Sequence, residues 1–111
     1  MEYTYQQKIA MMRILLDIIH ADGIIHERET FFFNQLKDKF ELEERDRNVI
    51  NEKNSLLALT QIKEMTREQK EEMARLMGKM IIVDDDINVN EVAIYNVVCE
   101  FCGIEVKFEG M

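Results

Sequence analysis

Four carboxylates at matched spacing are the residues of this chain best suited to chemistry. Residues 21–29 read ADGIIHERE and residues 83–91 read VDDDINVNE; aligned without gaps, they pair Asp22 with Asp84, Ile25 with Ile87 and Glu29 with Glu91. Carboxylate oxygens are the ligands that hard divalent cations take. The helical phase of the flanking segments aims all four acids at the edge of a core. Glu29 heads the stripe continued by Phe32, Phe33 and Leu36, and Glu91 the one continued by Ile94, Tyr95 and Val98. Asp22 prolongs the row of Leu15 and Ile18, and Asp84 that of Met73, Met77 and Met80. Partly buried like charges are costly unless protonated, hydrogen-bonded or neutralised by a cation. If the two copies meet, Asp22, Glu29, Asp84 and Glu91 make a shared site for a divalent metal ion, with Asp85 and Asp86 as additional candidate ligands.

A reading without any ligand accounts for the same residues. Gly23 suits a helix C-terminus that needs positive φ, and Asp22 tolerates such turns. His26 and Asn88 would be N-caps, placing Glu29 and Glu91 where a carboxylate reaches back to free amides and meets the helix dipole. Ile25 and Ile87 would pack down as hydrophobic staples. Both readings stand at this point. A calcium-binding EF-hand does not. Its first two ligand positions would fall on Ile18 and His20 in the first copy and on Met80 and Ile82 in the second, inside the preceding helices.

The elements that must position these acids are helical. The chain has no proline and four glycines in 111 residues, with abundant Glu, Lys, Met, Leu and Ile. Periodicity predicts a first helix from about Tyr5 to Ala21, with Arg13, Asp17 and His20 on its polar face. A second runs from after His26 to about Lys39. Residues 43–54 are polar apart from Val49 and Ile50 and give a short surface helix or a loose excursion. A short helix over 55–65 follows, and the spacing of Thr66 and Gln69 in TREQ is a capping box opening the next. A last helix covers about Val89 to Cys102, followed by the tail GIEVKFEGM. The expectation is a compact all-α, single-domain bundle of about five to seven helices over residues 1–111. Within it, two helix–turn–helix units are related by an approximate two-fold.

This order resembles the TerB-like family, named for a tellurite-resistance protein and related to a domain of some membrane-anchored J-domain co-chaperones. The resemblance rests on the apolar helix ending A-D-G-x-I-x-x-x-E, the second D-x-x-I-x-x-x-E and the intervening KEMTREQKEEMARLMGKM, and spans residues 8–106. It implies an all-α bundle with the two motifs juxtaposed. It also implies metal binding or docking to other proteins in stress responses, without a catalytic reaction. Carried over by position, the acids are Asp22, Glu29, Asp84 and Glu91. The second motif departs from the pattern, with Asp85 in the place of glycine, a position Asp can occupy in left-handed backbone.

Other chemistry-bearing residues read as structural. Cys99 and Cys102 spell C-x-x-C, but they fall near a helix C-terminus, where the dipole disfavours a thiolate. His20 and His26 read as surface residues rather than ligands. Phe31 shares its face with Asn34, Gln35 and Asp38. The middle segment covers it, or it belongs to a surface for a protein partner; the first is preferred. Gly78 suggests close helix approach.

The formal net charge of −8 argues against nucleic acid or an anionic membrane as partner and favours cations or a basic surface. No stretch has the length of a membrane-spanning helix or the pattern of a secretion signal, so the expected compartment is the cytoplasm. No nucleophile–base arrangement or phosphate loop supports an enzyme.

Overall fold

The computed structural model describes residues 1–108. Its six helices are α1 (Tyr5–Ile19), α2 (Glu27–Lys39), α3 (Asp46–Glu52), α4 (Ser55–Lys63), α5 (Arg67–Ile82) and α6 (Val89–Cys102). No strand occurs among the described residues, so the chain is all-α, as its periodicity predicts. Residues 109–111 of the expected tail lie outside the described residues.

Local signals set the helix limits. The Thr4 hydroxyl accepts from the Gln7 amide at 3.1 Å while the Gln7 side chain accepts from the Thr4 amide at 2.9 Å, closing a capping box on α1. The box predicted at Thr66 and Gln69 is present on α5, at 3.1 and 3.0 Å. Each satisfies amides the helix leaves free. α6 ends at Gly103, whose φ of 72° is the left-handed conformation that lets the Ile104 amide return to the Cys99 carbonyl at 2.8 Å. α1 stops two residues short of the expected Ala21, because the chain already turns at His20.

α1 is the central helix and packs against all five others. Ile9, Met11, Met12, Ile14, Leu15, Ile18 and Ile19 are buried around most of its circumference, as in a helix enclosed by others. The packing follows the predicted pairing of units. α1 contacts α2 as α5 contacts α6, and α1 reaches α6 as α5 reaches α2. α3 and α4 break this symmetry, lying against α1, with α4 also against α6.

The polar middle segment is tied down rather than loose. Arg13 donates to the Asn51 carbonyl at 2.8 Å and to the Ser55 hydroxyl at 3.2 Å, and pairs with Asp17 at 2.6 Å. Ser55 in turn donates to Asp17 at 2.7 Å. Asp46, nearly buried, accepts from the Tyr5 hydroxyl at 2.6 Å and the Glu43 amide at 2.7 Å. These bonds, the Tyr5 one above all, hold the Asp46 carboxyl below the usual range. The face of α1 expected to be polar is therefore a clamp, and only His20 of its three members is exposed.

Three local expectations need correction. Phe31 is 64% exposed. The middle segment meets α2 at Asn34, which accepts from Arg47, and at Lys37, which donates to Glu44, and so stops short of Phe31. A Cβ on Gly78 would meet nothing within 4 Å, so no helix approaches closely there. Ile25 is 61% exposed and staples nothing, whereas Ile87 packs against the core.

Candidate metal centre

Each corner is built the same way. Asp22 Oδ1 accepts from the Ile24 amide at 3.0 Å, and Asp84 Oδ1 accepts from the Asp86 amide at 3.2 Å. The intervening residues are both left-handed, Gly23 at φ 77° and Asp85 at φ 63°. Aspartate thus does adopt the conformation that glycine supplies in the first copy. His26 and Asn88 follow as N-caps, and Glu29 and Glu91 are the third residues of α2 and α6.

The caps differ. Asn88 accepts from the Asn90 and Glu91 amides at 2.8 and 3.3 Å. His26 makes no side-chain cap bond. Its ring lies between the two aspartates instead, with Nε2 3.4 Å from Asp22 Oδ2 and Nδ1 3.4 Å from Asp84 Oδ2. Asn88 Nδ2 crosses to the first corner and donates to Asp22 Oδ2 at 3.3 Å. The corners meet, and side chains of each touch the other.

Beneath this rim lie the two glutamates. Glu29 is 0% and Glu91 1% exposed. Neither closes the capping box that the ligand-free reading gave them: Glu29 approaches the His26 amide without a bond of good geometry, and the free amides of α6 are met by Asn88. Both are turned inward and interact with each other, yet both Glu29 oxygens and Glu91 Oε1 lack a hydrogen bond of good geometry. Burial first, then the mutual interaction and the charges of Asp22 and Asp84, push the Glu91 carboxyl up to about 9. Burial also raises Glu29. The pair consequently holds a proton at neutral pH when no cation replaces it.

The rim is polarised in the opposite sense. Asp22 is held below the usual carboxylate range, chiefly by the Ile24 amide. Burial alone would lower His26, but Asp22, Asp84 and Glu29 outweigh it and raise the imidazole.

His26, Glu29 and Asp84 each place a ligand atom within 4.8 Å of the others. Of the four predicted acids the structure thus brings Glu29 and Asp84 together, with Glu91 against Glu29 and Asp22 against the ring, and it adds His26, which its sequence position assigned to the surface. The overlooked signal is the alignment itself, which pairs His26 with Asn88 and so puts a polar, donor-capable side chain at the same place in both corners. The two additional candidates point elsewhere. Asp85 is exposed and meets Arg28 at 3.1 Å, and Asp86 is exposed.

No family model matches the chain, and no curated protein matches it by sequence. Among solved structures, a protein of unknown function from Porphyromonas gingivalis W83 is similar. Its TM-score is 0.77 at 20% sequence identity, with 97% of this chain and 92% of that chain covered. That likeness is one of fold.

The remaining reactive groups are quiet. Cys99 and Cys102 are buried free thiols. Burial pushes Cys99 up to about 11 and raises Cys102, whose sulfur donates to the Leu59 carbonyl at 3.6 Å. Neither is poised as a thiolate. No helix among the described residues is long and apolar enough to cross a membrane.

Proposed function

We propose that this domain binds a divalent metal ion between its two corners and does so without catalysing a reaction, in the manner its TerB-like motifs imply. One observation carries the reading. Two fully buried glutamates face each other, and three of their carboxylate oxygens make no hydrogen bond of good geometry. Native structures leave few such atoms without a purpose, and a bound cation would supply the missing partner while removing the repulsion between them. Acids serving only as helix caps would spend these oxygens on backbone amides.

A docking role for a protein partner is the second reading, favoured by the exposed apolar side chains of Phe31, Ile24 and Ile25 beside the first corner. Cytoplasmic stress response is the setting the motifs suggest for either.

The test is thermal unfolding of chelator-treated protein with Mg²⁺, Ca²⁺, Mn²⁺ or Zn²⁺ added singly. The same titration is run on a variant carrying Glu29→Gln and Glu91→Gln. Ion-dependent stabilisation that the substitutions abolish supports the metal reading. No response to any ion at millimolar concentration sinks it and leaves the docking role.

A further inference from the structure

We infer that His26 is a ligand of this ion and Asp22 its orienting partner, so that the site selects a first-row transition metal over Mg²⁺ and Ca²⁺. The inference rests on the metal reading above and sharpens it. Position decides the roles. The two ring nitrogens face different aspartates, Nδ1 towards Asp84 and Nε2 towards Asp22, each at 3.4 Å. His26 converges with Glu29 and Asp84 within 4.8 Å, and Nδ1, the nitrogen on the Asp84 side, is the ligand atom of this assignment. Nε2–H then donates to Asp22, the arrangement by which a carboxylate fixes the tautomer of a metal-bound histidine.

Asp22 is already committed in other ways. Its Oδ1 accepts from the Ile24 amide, and its Oδ2 from Asn88. Asp84 has no such bond to Asn88, and its Oδ2 faces only the imidazole among the bonds described. The four acids of the repeat are therefore unequal: Asp84, Glu29 and Glu91 supply oxygens, and Asp22 holds the nitrogen ligand in place. At the position equivalent to His26, Asn88 spends its side-chain oxygen on capping α6. The repeat thus contributes one nitrogen ligand, from the first corner alone.

A mixed set of one imidazole and carboxylates suits Zn²⁺ or Co²⁺, whereas Mg²⁺ and Ca²⁺ take oxygen. The decisive variant is His26→Asn, which gives the first corner the residue of the second and keeps a good N-cap, so folding is preserved. Zn²⁺ and Co²⁺ should stabilise the unaltered chain at concentrations at least about tenfold below those needed of Mg²⁺ or Ca²⁺. His26→Asn should erase that preference while Mg²⁺ and Ca²⁺ still bind. Asp22→Asn should weaken Co²⁺ binding about 10–100-fold without abolishing it. Bound Co²⁺ should show nitrogen hyperfine coupling in its electron paramagnetic resonance spectrum, absent from His26→Asn. Unchanged selectivity in His26→Asn, or nitrogen coupling that survives it, overturns this assignment and leaves the metal reading intact. Silence of the unaltered chain towards every ion overturns both.

Discussion

Glu29 and Glu91, the third residues of α2 and α6, face each other in the buried interior. Each belongs to a different corner, and the pair lies where the two corners meet. An arrangement of like charges in a core is stable only when something neutralises it, a proton or an ion. Several consequences can be measured.

Glu91→Gln removes one ionisable partner while keeping its shape. Metal-free protein carrying this change should melt a few degrees higher than the unaltered chain at pH 8, and lose its response to added ions. A variant that melts lower would mean that the glutamate is held by bonds of its own rather than strained.

The pH dependence follows from the same pair. A carboxyl raised above its unfolded value favours the fold below that value and disfavours it as pH climbs towards the folded one. For Glu91 the window runs from the ordinary 4.5 to about 9. Metal-free protein should therefore lose stability steadily across that range in urea titrations. Glu91→Gln should flatten the slope, and a saturating ion should do the same for the unaltered chain. Asp46 and Glu44, both lowered, act oppositely and lose their contribution only under acid conditions.

Arg13 joins α1 to the end of α3 and the start of α4. Arg13→Ala should cost about 2 kcal/mol, as expected for losing hydrogen bonds made by a charged group. Amide exchange should quicken selectively over residues 46–55. Equal acceleration throughout the chain would show that the clamp serves global packing only.

Gly78→Ala should stabilise the protein by about 0.5–1 kcal/mol. The helical interior gains propensity, and the added methyl meets no neighbour. Denaturant midpoints with an unchanged slope would report it.

Phe31→Ser should leave stability within about 0.5 kcal/mol of the unaltered chain and the ion response unchanged, since the ring is largely solvated. A larger loss would mean that the ring packs in solution against something the isolated fold does not show.

Much of this was legible from residue order. Helix type, the limits of α2 and α6, the box at Thr66 and the repeated corners all follow from periodicity and short-range capping, which act within a few residues. What escaped depends on distance. Arg13 and Asp17 have the spacing of a solvated pair, and only the position of Ser55 and Asn51 turns them into a clamp. His26 sits where a cap is expected, and nothing local reveals that Asp84 waits on its other side. Phe31 and Gly78 failed for a related reason. A side chain's face can be read from the helix that carries it, but whether another element covers that face is decided by long-range packing. Asp85 is the converse case: it departs from the glycine of the first motif, which left the second turn open, yet its backbone keeps the left-handed conformation.

The bond between Asn88 and Asp22 joins residues 66 apart in sequence. Neither corner alone encloses the buried acids, so during synthesis the first half of the chain leaves the ribosome with Glu29 uncovered and without its partner. On the proposed reading, ion capture awaits the last helix. A chain truncated before α6 would have neither a sealed core nor a site, and the ion would act as a late seal on a finished fold rather than as a seed for it.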